Sequence, residues 1–283
     1  SAVAVLLALV SAFAYGVSDY VGGRTSRKFP PLTVAVAAEV AMVPMMLVVI
    51  PLVEDGPFTA AALVWGIVGG LAGTAGILGL YAALSRGAMT VVAPITGVVS
   101  AVLPVSIGVA TGDRPGPSAL LGILLAVVAV AMIGGLVGAL HQPVTARTVG
   151  LAVVVGVLFG TLFVAFAQPG DEAGLWPLLA ARIGSTPMLL GAYLVARRSP
   201  SFAGLSSSTM LAGVVIGGSI VVASGAYVLA LGFGLLSVVS VIVALYPAST
   251  VGLASLLDAE RSTAAQRAGM ALAAVAVALI TLG

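Results

Sequence analysis

The chain consists of long apolar runs separated by short segments that contain charges, proline, glycine or polar residues. An α-helix of about 20 apolar residues is long enough to cross about 30 Å of hydrocarbon. Breaking the sequence at its polar segments predicts transmembrane helices over residues 2–23, 31–53, 60–84, 89–110, 117–139, 148–167, 175–196, 208–231, 235–256 and 265–282.

The composition supports a membrane protein and excludes several other classes. Of the 283 residues, 61% are hydrophobic and 7% are charged, and the mean hydropathy is +1.25. A soluble domain carries about 25% charged residues, so this chain cannot cover a water-facing surface. The net charge of +2 is small and spread over loops, which predicts no nucleic-acid partner. We expect an all-α, multi-pass protein of the cell membrane (inner or plasma membrane).

The two halves of the sequence resemble each other in the same order. Residues 90–95 match residues 237–242 at a spacing of 147 positions, and residues 126–133 match residues 273–280 at the same spacing. Matches between short apolar segments are individually weak, but several in order indicate an internal duplication.

The duplication predicts two five-helix repeats, residues 1–140 and residues 141–283. Because five is odd, the second repeat would enter the membrane facing the opposite way. The predicted fold is therefore ten transmembrane helices arranged as two inverted repeats. Transporters of this build hold their substrate near the bilayer midplane, where the repeats meet, and operate by alternating access.

Three charged residues fall inside predicted spans: Asp19, Glu39 and Arg182. A charge near the membrane centre costs about 2.5–3.5 kcal/mol on insertion scales, so such residues usually face a polar interior. We expect all three to bind substrate or a coupling proton. The alternative for Asp19 is a position near the membrane interface. The alternative for Glu39 and Arg182 is an internal ion pair that fixes how the halves dock, and the two arrangements could alternate as a switch.

Glu39 and Arg182 occupy matching places, each five residues before a proline, Pro44 or Pro187. A proline removes one helical hydrogen bond, so these prolines are predicted hinges. Ser185 lies three residues after Arg182, on the same helix face, and is a predicted substrate contact.

The few aromatic residues and two further prolines complete the candidate site. Tyr81, Tyr227 and Tyr246 are predicted to contact the apolar part of a substrate, with the interfacial aromatic belt as the alternative. Pro94 and Pro247 would bend the fourth and ninth spans at a gate or hinge.

Enzyme chemistry finds little support in the sequence. The chain has no cysteine and a single histidine, His141, in a loop. No second histidine or cysteine is present to build a zinc site, and no phosphate-binding loop is present for ATP hydrolysis. We expect no enzyme activity, no metal and no cofactor.

Several motifs resemble those of the EamA-type members of the drug/metabolite transporter superfamily. They are the segment 81–88, the run from Leu257 to Glu260 followed by Gly269, and Pro247 thirteen residues before Glu260. The resemblance covers essentially the whole chain. It implies ten spans in two halves and secondary transport, usually export, of small metabolites such as amino acids or of organic cations.

The sequence also departs from that family's pattern. Asp113 stands where glutamate is usual, Ser100 stands where the proline of the fourth span is usual, and Glu39 stands where many members have arginine or glutamine. The acidic residue and arginine that follow the fourth and ninth spans are interpreted as structural.

Three functions therefore remain open. The first is export of small metabolites such as amino acids, in which Arg182 would hold a carboxylate and Glu39 an ammonium group. The second is proton-coupled export of cationic compounds, in which the acids alternately hold a proton and the cation. The third is a membrane scaffold or lipid-handling protein that transports nothing, with a dry interior. The expected partners are a small-molecule substrate, a coupling proton and the lipid bilayer, and the expected state is a monomer or weak homodimer.

The orientation in the membrane has two predicted solutions. The loops that follow odd-numbered spans carry nearly all the loop arginines and lysines, whereas Arg114 is the basic residue of the other loops. The positive-inside rule places the arginine-rich loops in the cytoplasm and both termini outside. The family resemblance implies cytoplasmic termini instead.

Overall fold

A computed structural model describes residues 1–54, 56–84, 89–139, 145–199, 202–259 and 261–282. All regular secondary structure in these residues is helical. Within them, nine helical segments are long and apolar enough to cross a membrane, one of which, Leu236–Leu257, is divided by a turn. The fifth predicted span contains a shorter apolar helix of 17 residues. The protein is thus a multi-pass α-helical membrane protein.

The helices follow the predicted spans closely, apart from two spans that are each divided. A single 3₁₀ turn, Asp171–Ala173, precedes α8. The helices are α1 Ala2–Ser26, α2 Pro31–Val53, α3 Ala60–Leu84, α4 Met89–Thr111, α5 Pro117–Ile133, α6 Leu136–Ala139, α7 Ala146–Ala167, α8 Trp176–Ala196, α9 Ser207–Leu231, α10 Leu236–Val243, α11 Tyr246–Leu257 and α12 Ala264–Leu282.

The fifth span was predicted as one helix over residues 117–139, and the structure corrects this. Helix α5 ends at Ile133, and a turn at Gly134 and Gly135 separates it from the short helix α6. Gly135 has φ +89°, a left-handed conformation that glycine adopts without a steric penalty.

The ninth span is broken near the middle of its length. A turn at Ala244 and Leu245 separates α10 from α11, immediately before Pro247. Proline lacks the amide hydrogen that a continuous helix needs, which favours a break here. The matching position in the fourth span is Ser100, and α4 is continuous. The two halves thus differ in helix structure at a position where they also differ in proline.

The helices pack in pairs that correspond when the two halves are exchanged. The contact between α1 and α9 corresponds to the contact between α7 and α3. The contact between α2 and α9 corresponds to the contact between α8 and α3. The contact between α4 and α7 corresponds to the contacts of α1 with α10 and α11. Helix α5 packs on α12, the last helix of the other half.

Glycines allow two of these pairs to approach closely, at matching positions. A Cβ on Gly70 of α3 would lie 2.0 Å from the carbonyl oxygen of Ala181 in α8. A Cβ on Gly217 of α9 would lie 2.8 Å from the carbonyl oxygen of Ala38 in α2. Small residues at such contacts let helix backbones come together in a membrane.

Burial differs between the two ends of the bundle. We call the end at which α1 and α11 terminate the arginine-rich end, because the loops there carry nearly all the loop arginines. In α10, at the opposite end, Ser237 and the residues from Val239 to Val243 are buried. No residue of α11 is buried, and in α1 no residue after Ser18 is buried. In α1, α10 and α11, burial is therefore greater toward the opposite end than toward the arginine-rich end.

Candidate functional site

A buried polar network joins α2 to α8 inside the bundle. Arg182 Nη1 donates to Glu39 Oε2 at 2.8 Å. The hydroxyl groups of Ser185 and Thr186 donate to Glu39 Oε1 at 2.7 Å and 2.6 Å. The Glu39 residue is only 4% exposed, so these contacts replace the water that its carboxylate would otherwise bind.

Helix geometry explains why these residues meet. Residues three and four positions apart share one face of a helix, so Arg182, Ser185 and Thr186 all point at α2. In α2, Met42 lies three positions after Glu39, and its sulfur accepts from Arg182 Nη1 at 3.7 Å. Glu39 thus contacts Ser185, which lies three positions after Arg182, and Arg182 contacts Met42, which lies three positions after Glu39.

The network occupies most of the hydrogen-bonding capacity of the Glu39 carboxylate, which offers about four acceptor sites. Its two oxygens already accept hydrogen bonds from three side chains. Arg182 keeps one buried donor, Nε, without a hydrogen-bond partner among the described residues. The arrangement is the internal ion pair that the sequence offered as one of two alternatives.

Asp19 lies in a different environment from Glu39. The Asp19 residue is exposed, whereas Glu39 is buried. Asp19 makes no hydrogen bond or ion pair with any described residue. Asp19 is therefore an available carboxylate inside the membrane-spanning region.

Two tyrosines lie beside Asp19. Tyr15, one helical turn earlier in α1, interacts electrostatically with Asp19 and with Arg182. Tyr246, the first residue of α11, interacts electrostatically with Asp19 and Tyr15. The rings of Tyr15 and Tyr246 have centroids 6.3 Å apart. The break before α11 thus places the ring of Tyr246 near Tyr15 and Asp19.

A row of aromatic rings continues from these tyrosines into the core. Phe163 of α7 contacts Tyr15 edge-on at 6.1 Å between centroids, and it contacts Tyr227 of α9 at 5.1 Å. The Tyr227 hydroxyl donates to the Phe163 carbonyl at 2.9 Å and lies 3.0 Å from Ser240 Oγ. Tyr227 is 0% exposed. The predicted substrate contact at Tyr227 is therefore closed to a ligand in this conformation, because the residue is part of the packed core.

The predicted hinge prolines differ in their surroundings. Pro44 and Pro187 lie on exposed faces of α2 and α8, and Pro94 is buried in α4; all three helices continue through their prolines. Pro247 alone among these four lies at a helix break. The side chain of Tyr81, together with His141 and Glu260, lies outside the described residues.

Tyr15 and Phe163 were missed as candidates by the sequence analysis. Tyr15 carried a usable signal, because it lies four positions before Asp19 and shares its helix face. Phe163 carried none, since only tertiary packing places α7 against α1 and α9.

Polar ties hold the ends of the bundle together. At the opposite end, Asp113 Oδ2 accepts from the backbone N–H of Ser237 at 2.7 Å, in the first turn of α10. A carboxylate there satisfies a free amide and complements the helix dipole. At the arginine-rich end, Arg24 of α1 forms an ion pair with Asp258, which follows α11.

A groove of about 510 Å³ on the outer surface is a separate feature. It contains no charged residue, so it suits lipid chains rather than a charged ligand. The residues that line it are Ala41, Pro44, Met45, Val48, Val49 and Val214.

Comparison with known proteins agrees with this architecture. One solved structure, described only as "Crystal structure of protein", is similar with a TM-score of 0.73 and 17% sequence identity. The similarity covers 99% of this chain and 96% of that one, which shows a shared fold. No curated protein matches the chain. Residues 2–135 match the model of the EamA-like transporter family. The resemblance predicted from the sequence is thus confirmed over the first half of this membrane protein, which matches the EamA-like transporter family.

Proposed function

We propose that the protein is a secondary active transporter that exports small metabolites such as amino acids by alternating access around a central cavity. The observation that carries the proposal is Asp19, an exposed carboxylate in a membrane-spanning helix that makes no hydrogen bond or ion pair with any described residue. Keeping such a group in a membrane protein is costly. The cost is understandable if the carboxylate binds a transported solute or a coupling proton.

The helix pairing supports the inverted repeat on which this mechanism rests. The pairs that correspond under exchange of the halves, and the close contacts of Gly70 and Gly217, are what a two-fold axis between related halves would produce. The Glu39–Arg182 pair joins matching positions and would lie on that axis. Two halves related in this way can rock about a shared site.

The uneven packing corresponds to one state of an alternating-access cycle. The Asp113–Ser237 contact and the buried residues of α10 close the opposite end. Because no residue of α11 is buried, we expect the arginine-rich end to be the open one. In the other state, the arginine-rich end would close and α10 would separate from α4. By the positive-inside rule, the state described here opens to the cytoplasm.

One difference between Glu39 and Asp19 favours the alternative substrate class, cationic compounds exchanged for protons. Glu39 accepts three internal hydrogen bonds, whereas Asp19 makes no hydrogen bond or ion pair with any described residue. The accessible charge of the cavity is therefore negative. The scaffold alternative would have a dry interior, and an accessible Asp19 argues against it.

Transport by the purified protein in lipid vesicles tests the proposal. The panel is amino acids and organic cations, each with and without a pH gradient. We expect saturable flux that Asp19→Asn abolishes. Amino-acid flux that Arg182→Ala also abolishes would support metabolite transport with Arg182 on the carboxylate. Cation flux that survives Arg182→Ala would support the cation exporter. Absence of flux for every compound and gradient would contradict the proposed function.

A further inference from the structure

We propose that Asp19, Tyr15 and Tyr246 form a binding site for the substituted ammonium group of an organic solute. This inference rests on the proposed function, because it names the chemical group that the cavity recognises. The inference goes beyond the proposed function because it assigns recognition of the solute to the Asp19 carboxylate and two aromatic rings, and not to the Glu39–Arg182 pair.

The charge balance around the cavity favours a cation. Among the described acids, Glu39 is bound by Arg182, Asp113 by the Ser237 amide and Asp258 by Arg24. Asp19 has no such partner. Arg182, which interacts electrostatically with Tyr15, is itself paired with Glu39. An unpaired carboxylate beside a neutralised arginine attracts a cation.

The neighbouring rings favour an organic cation. An ammonium group within about 6 Å of an aromatic centroid is attracted by the ring face, most strongly when it is removed from water. Tyr15 and Tyr246 meet at an interplanar angle of 59°, so the two rings form a corner beside Asp19. An alkylated ammonium group can contact both rings through its methyl groups and Asp19 through its charge.

A metal ion suits the same residues less well. Calcium takes about six to eight oxygen ligands, and magnesium requires about six in octahedral geometry. Asp19 offers a single carboxylate, and the phenol oxygens of Tyr15 and Tyr246 are poor replacements for further carboxylates. The donor set therefore fits a large, weakly hydrated cation.

Access to the site is consistent with the packing of the bundle. Asp19 lies in the part of α1 beyond Ser18 where no residue is buried, and Tyr246 begins the open helix α11. Arg24 and Asp258 pair farther along the same two helices. A solute would reach Asp19 from the arginine-rich end and stop at the aromatic row that leads to the buried Tyr227.

The test is equilibrium binding of choline to the purified full-length protein, with 3,3-dimethyl-1-butanol as a neutral molecule of the same shape. We expect choline to bind and the alcohol to bind at least about tenfold more weakly, because it lacks the charge. Asp19→Asn should weaken choline binding at least about tenfold. Glu172→Gln, which alters an exposed acid at the opposite end, is the matched control and should have no effect.

The aromatic contribution is tested separately, with variants that keep or remove the ring. Tyr15→Phe and Tyr246→Phe keep the ring and should change choline binding little. Tyr15→Leu and Tyr246→Leu remove it and should weaken binding about 3- to 30-fold. These variants also provide a test if Asp19→Asn does not fold. Equal binding of choline and its neutral analogue, or full binding by the leucine variants, would overturn the inference.

Failure of this inference is distinguishable from failure of the proposed function. Amino-acid flux in vesicles without choline binding would overturn the ammonium site and leave the transporter intact. Choline binding that depends on Asp19 and on both rings, without flux of any compound, would support the site and overturn the transport function.

Discussion

Glu39 accepts hydrogen bonds from side chains on α8 through both of its carboxylate oxygens, so α2 and α8 are held together by a single acidic group. Removing one member of a buried ion pair leaves the other charge without compensation, and this is more destabilising than replacing both. The pair therefore has a structural role that can be measured apart from transport.

For this pair we expect Arg182→Met to lower the free energy of unfolding by about 3–5 kcal/mol. The double variant Glu39→Met with Arg182→Met should recover most of that loss, since no charge remains buried. Unfolding in detergent micelles measures both, with Arg198→Met at an exposed loop position as the control. A single variant as stable as the natural protein would show that Glu39 is not enclosed as described.

The sequence predicted part of the site at this scale. Matching positions in the two halves brought Glu39 and Arg182 together as candidates, and the i+3 spacing added Ser185. The direction in which a side chain points between several apolar helices does not follow from spacing. For that reason Tyr227 was expected in the cavity and lies in the core, while Tyr15 was not proposed.

At the scale of the helix pair, two glycine contacts decide how closely the halves approach. Gly70 of α3 faces the backbone of Ala181, and Gly217 of α9 faces the backbone of Ala38. A backbone carbonyl cannot move aside as a flexible side chain can. An added methyl group must therefore push the two helices apart.

We expect Gly70→Ala and Gly217→Ala each to destabilise the protein by about 1–3 kcal/mol through overpacking. Gly225→Ala in α9 is the control, because a Cβ there meets nothing within 4 Å. It should be neutral or stabilising by up to about 1 kcal/mol, since alanine favours a helix. Thermal unfolding of the three variants measures this. Equal stabilities would contradict the close contacts.

The break between α10 and α11 gives a second prediction for an element. Pro247→Ala restores the missing amide, and alanine favours a helix interior by about 3 kcal/mol over proline, so the two helices should tend to join. We expect unchanged or higher thermal stability with slower flux in vesicles, because the position of Tyr246 depends on the break. Pro187→Ala, in the continuous helix α8, is the control. Full flux by Pro247→Ala would show that the break is not needed.

Helix positions were predictable because membrane thickness fixes the length of an apolar run. The helix breaks at Gly134 and at Ala244 were less predictable from the sequence. A glycine pair inside an apolar run is compatible with a continuous membrane helix. Pro247 was expected to bend the ninth span, but proline also occurs within the continuous helices α2, α4 and α8. Tertiary packing decides which prolines interrupt a helix.

For the whole molecule, the inverted repeat predicts that equivalent loops lie on opposite sides of the membrane. The chain contains no cysteine, so a single introduced cysteine reports its own location. Pro57→Cys follows the second span and Leu205→Cys follows the seventh, and both positions are exposed. We expect a membrane-impermeant maleimide to label them from opposite sides in intact vesicles. Labelling of both from the same side would contradict the inversion.

Alternating access is tested most directly by comparing two cysteines at the two ends of the ninth span. Ser255→Cys lies in the open helix α11, and Ser237→Cys lies at a fully buried position in α10. We predict that an impermeant maleimide labels Ser255→Cys rapidly and Ser237→Cys slowly, from opposite sides of the membrane. A transported solute should shift the two rates in opposite directions. Rapid labelling of both at once, or rates that never change in opposite senses, would contradict the account.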